Sequence, residues 1–249
     1  MRLVIDFGFE KDLTLPIHHN HILQGFIYSL LAPTLRKFLH EEGFLYQKRR
    51  FKLFTFSRLM GKFNIKEDKF IFTPPVKLAI SSPKHEILQS LAEGILRGEK
   101  LRLHGNDVII TSINVLPKPV FTERVYAKML SPITVYSTFL KVDGSKKIYH
   151  YYSPRDDEFN ELIRKNLEKK YYLVHGKSVA PEAKFKITPH NVKHYHEKAI
   201  IYKKTFIKGW MGTYEITGEP ELIQLSYDTG LGAKNSQGFG CWEIWGRNE

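Results

Sequence analysis

Near the C-terminal end, the segment Gly230-Leu-Gly-Ala-Lys-Asn-Ser-Gln-Gly-Phe-Gly240 sets two Gly-x-Gly pairs, Gly230/Gly232 and Gly238/Gly240, around a polar, basic centre of Lys234, Asn235 and Ser236. Glycine takes positive φ freely and lets backbone approach a second surface closely, so this stretch is a loop, not a helix or a strand. The helical run before it, Pro220 to Asp228, and the strand signal after it, Cys241 to Trp245, make it a helix-to-strand connection. Successive N–H groups in such turns can form a concavity for an anion. A structural tight turn beside an edge strand accounts for the same glycines. The segment lacks the Gly-Lys-Ser/Thr of a Walker A loop and opens no helix as a Rossmann turn does, which argues against nucleotide-dependent enzymes.

The pattern before this loop divides in two. Residues 1 to 9 read as a strand. A helical stretch follows from His19 to Leu31, with Ile22, Phe26 and Leu30 at helical spacing, and a second from Thr34 to Glu42, stopped by Gly43. Strands are predicted at Phe51 to Ser57, Lys69 to Thr73, Val76 to Ile80 and Val108 to Leu116, with a helix from Lys84 to Leu96. After Pro117 and Pro119 come strands near Val125 to Leu130 and Ile133 to Leu140, then a charged helix from Arg155 to Lys170. Strands near Lys184 to Thr188 and Ala199 to Ile207 precede the closing helix and loop. Each half approximates βαββαβ, which predicts an α+β chain of two tandem ferredoxin-like domains, 1–120 and 121–249, the second carrying the glycine-rich loop.

The chain has 249 residues and a formal charge of +12. Basic residues outnumber acidic ones 18 to 11 up to Val120 and 20 to 15 after it, so the excess belongs to both halves rather than to a tail. A folded surface made for a polyanion is the expectation. Cys241 is the sole cysteine, which excludes an internal disulfide and a cysteine-based zinc finger. No secretory signal or bilayer-spanning run is read, so no membrane contact is expected and the cytoplasm is the default compartment.

Other residues have two readings. His18, His19 and His21, or His194 and His196, could bind a metal, but RNA contact or an exposed loop serves equally well and no ligand pattern surrounds them; neither metal nor other cofactor is expected. His-x-Thr/Ser pairs are absent, which sets aside two-histidine phosphoesterases. Between Lys184 and Lys208, lysines including Lys203 and Lys204 alternate with Tyr195, Tyr202 and Phe206, a mixture suited to phosphate contact and base stacking or simply to a solvated strand face. Arg49 and Arg50 add a basic pair in the first half. Cys241 is expected in the core.

The loop Gly230–Gly240, late in a basic chain of this length, resembles the signature of the repeat-associated RNA-binding (RAMP) superfamily of CRISPR systems. His21-Ile-Leu-Gln-Gly25-Phe-Ile-Tyr28, Phe38-Leu-His40-Glu, Phe51-Lys52-Leu-Phe-Thr-Phe-Ser57 and Ser131-Pro-Ile-Thr-Val135 resemble its guide-RNA maturation endoribonuclease. The resemblance covers almost the whole chain and is weakest between Ser145 and Lys208. It implies metal-independent cleavage of CRISPR repeat RNA by a ribose 2′-hydroxyl, leaving a 2′,3′-cyclic phosphate and a 5′-hydroxyl. It implies Tyr28, His40 and Lys52 as the catalytic set, and Arg49, Arg50, Lys203, Lys204 and the loop, with Gly230, Gly232, Lys234, Asn235, Ser236, Gly238 and Gly240, as RNA contacts. The implied partner is the precursor transcript, with a homodimer or a CRISPR effector complex as assemblies left open. A non-catalytic RNA-binding subunit of such a complex is the alternative.

The chemistry suits those residue types. A 2′-hydroxyl is an internal nucleophile, so positioning supplies much of the rate. A histidine can protonate the departing 5′-oxygen near neutral pH, a lysine can face charge growing on the phosphate, and a tyrosine can act as base or merely orient the nucleophile. Unbroken helix from Tyr28 to His40 would part them by about 18 Å and roughly 120° around the axis, too far to share one phosphate. Pro33 predicts a bend near Ala32 that turns the chain back.

Overall fold

The computed structural model describes residues 1–97, 101–140 and 147–246. The first half runs β1 (Arg2–Gly8), β2 (Leu13–Pro16), α1 (Asn20–Leu30), α2 (Pro33–Lys37) and a π-helical turn over Phe38–Glu42. Then come β3 (Phe44–Tyr46), β4 (Arg49–Phe51), β5 (Thr55–Phe56), β6 (Met60–Lys66), β7 (Lys69–Ser81), α3 (His85–Leu96), β8 (Leu101–Leu103) and β9 (Asn106–Leu116). One antiparallel sheet has the order β2-β7-β1-β9-β8, and the long β7 also pairs with β5 and β6. Alternation along β1 sends Leu3, Ile5 and Phe7 to the core, where they meet Leu23, Phe26 and Ile27 of α1 and Ile87, Leu88 and Leu91 of α3. Each such side chain contributes about 1.5–3 kcal/mol by leaving water.

The second half runs β10 (Arg124–Met129), β11 (Tyr136–Leu140), β12 (Lys147–Tyr151), α4 (Asp157–His175), β13 (Phe185–Asn191), β14 (Glu197–Tyr202) and β15 (Thr205–Trp210). β16 (Thr213–Gly218), α5 (Pro220–Thr229) and β17 (Trp242–Ile244) complete it. Its sheet has the order β13-β16-β10-β17, and β11–β12 and β14–β15 are separate hairpins. A second buried cluster gathers Val125, Ala127, Ile187, Tyr214 and Ile216 from the sheet under Phe159, Ile163 and Leu167 of α4 and Leu222 and Ile223 of α5. Cys241 is buried, as expected. Among the described residues no helix is long and apolar enough to cross a membrane.

The chain is thus mixed α/β, and several sequence expectations need correcting. The helix expected over Thr34–Glu42 gives way after Lys37 to the π-helical turn, closed where the Gly43 N–H donates to the Phe38 carbonyl at 2.7 Å. The single strand expected over Ala199–Ile207 is a hairpin, with Lys203 and Lys204 at φ 43° and 68° in its turn. Phe51–Ser57 is broken at Leu53, φ 53°, into the ends of β4 and β5. Conversely, Lys69–Thr73 and Val76–Ile80 form one strand, and α4 runs on to His175.

α1 and α3 touch backbone to side face at Gly94. A Cβ there would stand 1.9 Å from the Leu30 carbonyl oxygen, which also accepts a hydrogen bond from Arg97 at 3.0 Å. Gly94→Ala gains helix propensity but must push the end of α1 away, for a net cost of about 2 kcal/mol. The expected fall in Tm is roughly 4–8 °C by thermal denaturation, and an unchanged Tm would show that the helices can separate without penalty.

Candidate active site and nucleic-acid interface

Leu31 and Ala32 leave the helical region, with ψ of 146° and 142°, and Pro33 opens α2. The Ala32 N–H, freed from helix bonding, donates to Ser90 Oγ at 2.8 Å. This is the bend expected from the sequence, and it folds the chain back so that the rings of Tyr28 and His40 lie 6.4 Å apart, edge to face at 85°. Lys52, just past β4, donates from Nζ to the His40 carbonyl at 3.3 Å. Tyr28, His40 and Lys52 are therefore neighbours, although they come from three separate elements.

Burial, and secondarily nearby Tyr202, pushes the Tyr28 phenol up to about 12. Burial thus favours the protonated phenol across the physiological range. Burial, with Arg50 nearby, lowers Lys52 from the ordinary lysine value. The Arg50 guanidinium donates to the Glu41 carbonyl, tying β4 to the turn that carries His40.

Lys52 also lines a cleft of about 930 Å³ between the two halves. One wall is Arg49–Phe54; the other is β11, α4 and the glycine-rich loop. Arg49, Arg50, Lys165, Lys169 and Lys234 make it strongly cationic. The Lys234 ammonium sits 5.1 Å from the centre of the Tyr136 ring, a cation set against an aromatic ring of the same wall.

Of the loop residues singled out in the sequence, Gly232, Lys234, Asn235 and Ser236 line the cleft. Gly230, Gly238 and Gly240 instead face protein: a Cβ on Gly240, at φ 77°, would lie 2.0 Å from the Leu231 carbonyl oxygen, and one on Gly238 2.7 Å from Phe56. The amides of Leu231, Ala233, Gln237, Gly238 and Gly240 bond within the protein. Lys203 and Lys204 sit in the β14–β15 turn and do not line the cleft.

Sequence reading missed the groups that hold this loop. Lys170 of α4 is buried beneath it and donates to the carbonyls of Gly230 at 2.7 Å and Gly232 at 3.2 Å and to Asn235 Oδ1 at 2.8 Å. Burial pulls its pKa down to about 7, while three oxygens match the three N–H groups of the ammonium form. From the first half, Asn20 donates to the Gln237 and Gly238 carbonyls, Gln24 to the Ser236 carbonyl and Thr55 to the Phe239 carbonyl. The available signal was the stripe Phe159, Ile163, Leu167, Lys170, whose helical spacing puts the lysine on the buried face of α4.

Residues 14–114 match the family model for the CRISPR-associated protein Cas6 N-terminal region, and residues 116–244 match the Cas6 C-terminal model. The chain is 29% identical over 245 residues to the CRISPR-associated endoribonuclease Cas6 1 of Methanocaldococcus jannaschii, covering 96% of this chain and 91% of that protein. It is 26% identical over 251 residues to the CRISPR-associated endoribonuclease Cas6 of Pyrococcus furiosus, covering 95% and 86%. The solved structure of a Cas6-related gene product from Pyrococcus furiosus superposes with a TM-score of 0.84 at 25% identity, covering 100% of this chain and 99% of that one.

Lys170→Met keeps the side-chain length but leaves the loop oxygens without their donor. A loss of about 2 kcal/mol is expected, with faster amide exchange concentrated in residues 230–240. Exchange that accelerates evenly over the whole second half would instead mean that Lys170 supports the core and not the loop.

Proposed function

The chain belongs to the CRISPR-associated Cas6 family, and from that premise we propose that it binds CRISPR repeat RNA in the basic cleft and cuts it in the precursor transcript to release guide RNAs. The observation that carries this reading is the convergence of Tyr28, His40 and Lys52 at the edge of a cationic cleft. Phosphates of the repeat would meet Arg49, Arg50 and Lys234, and unpaired bases could stack on Tyr136.

In the reaction we infer, the ribose 2′-oxygen forms a bond to the adjacent phosphorus and the bond from phosphorus to the 5′-oxygen breaks. The products are a 2′,3′-cyclic phosphate and a 5′-hydroxyl, and no metal takes part. His40 protonates the departing 5′-oxygen, while the 2′-hydroxyl proton leaves to water. A phenol that titrates near 12 orients the 2′-hydroxyl by hydrogen bonding. Lys52 stabilises the negative charge on the phosphate oxygens in the transition state.

We also read residues 1–120 and 121–249 as two ferredoxin-like domains in tandem. Supporting this are the two separate buried clusters and, in the second half, the succession β10-α4-β13-β16-α5-β17 with the sheet order β13-β16-β10-β17.

Purified protein should cut its repeat RNA in excess EDTA and fail on RNA carrying a 2′-deoxy sugar before the scissile phosphate. Tight binding without cutting would point instead to an RNA-holding subunit. His40→Ala should lower the cleavage rate by about 10²–10⁴-fold. Tyr28→Phe should cost roughly 10–100-fold and leave the shape of the pH–rate profile unchanged between about pH 6 and 10, because a phenol with a raised pKa does not ionise there. An alkaline limb that disappears in Tyr28→Phe would make the phenolate the base after all.

A further inference from the structure

We propose that the open face of the second half's sheet, remote from the cleft, is a second RNA-binding surface that stacks unpaired bases on Tyr126, His190 and Trp245. The inference rests on the reading of the chain as an RNA-binding protein and extends it to a face with no part in the cleavage chemistry.

Helices α4 and α5 cover one face of the sheet β13-β16-β10-β17, and strand alternation exposes the other. On β10, Val125, Ala127 and Met129 are buried, whereas Arg124, Tyr126 and Lys128 point outward. On β13, Phe185 and Ile187 are buried and Lys186 is exposed. The β13–β16 register shifts between Pro189 and Asn191, an irregularity that falls at His190. The His190 ring lies 4.8 Å from that of Tyr126. Trp245 follows β17 directly and its backbone N–H donates to the Tyr126 carbonyl at 2.8 Å. Its indole is 6.2 Å from Tyr126 and 5.8 Å from His190, closing a three-ring cluster.

Two features single out an unpaired nucleic-acid strand as the occupant. The first is exposure: Trp245 stays 48% exposed and His190 is exposed as well, so ring faces and edges are available to a ligand. The second is charge. Arg124 and Lys128 flank the rings in ion pairs with Glu215 at 3.0 Å and Glu243 at 3.3 Å, so these pairs cancel in charge and Lys186 is the cation left over for a phosphate. Lys186 has no carboxylate partner among the described residues. Rings that offer a π surface to any base, with an unpaired lysine on the same face for a phosphate, suit single strands and not duplexes, whose bases are already stacked. Because α4 lies between this face and the loop side of the cleft, one RNA long enough to engage both would gain affinity by linkage.

The test uses the full chain and fluorescently labelled oligoadenylate, with duplex RNA of equal length as control. Trp245→Ala and His190→Ala should each weaken oligoadenylate binding roughly tenfold, leave duplex binding unchanged and shift Tm little. Trp245→Phe, which keeps an aromatic face, should recover most of the affinity. Arg50→Ala, in the cleft, serves as the comparison and should weaken both RNAs. If oligoadenylate binds the Trp245 and His190 variants as tightly as the parent while Arg50→Ala weakens it, the platform is overturned and the cleft reading stands. A parent protein that binds neither RNA overturns both. Lower Tm with unaltered affinity would assign the three rings to cross-strand packing of the sheet.

Discussion

A central joint between the halves is a set of hydrogen bonds to carbonyl oxygens of one loop. Lys170 reaches up from α4 while Asn20, Gln24 and Thr55 reach across from the first half, and all of them end on the segment 230–240. A loop with side chains at Gly238 or Gly240 could not sit close enough to be held this way. The same docking brings Lys234, Asn235 and Ser236 opposite Arg49 and Arg50, so the cleft exists because the loop is pinned from both sides. The glycines serve mainly to let the loop be grasped, and Lys234, Asn235 and Ser236 between them line the cleft.

This arrangement explains why His40 is carried by a π-helical turn. The turn must leave α2, keep the ring beside Tyr28 and still deliver its carbonyl to Lys52. Wider winding over Phe38–Glu42, stopped by Gly43 in positive φ, meets these requirements within five residues.

What the sequence made legible was local. Helix α1, the break at Pro33, the stop at Gly43 and the succession of α5, loop and β17 each follow from periodicity or from a proline or glycine whose backbone limits are intrinsic. The β14–β15 hairpin was not legible, because two lysines in the left-handed region carry none of the usual turn signal and the residues around them read as one strand. Lys170 read as the end of a charged helix, and although its spacing from Phe159, Ile163 and Leu167 puts it on the buried face, nothing within α4 reveals that a loop from 60 residues further on will cover it. Trp245 and His190 meet only across strands, and His190 does so at a register shift that composition does not announce. Tyr28, His40 and Lys52 stood out through resemblance, and their proximity followed once the bend was accepted.

The place of β1 in its sheet has a consequence for biosynthesis. β1 is a central strand translated before either of its sheet neighbours, with Arg2 opposite Ser81 on one side and Leu116 on the other. Its apolar face and both hydrogen-bonding edges wait, uncovered, until almost the whole first half has been translated. Such long-range closure is slow by topology, so a nascent chain depends on early docking of α1 to shield Leu3, Ile5 and Phe7 while the flanking strands are still being made.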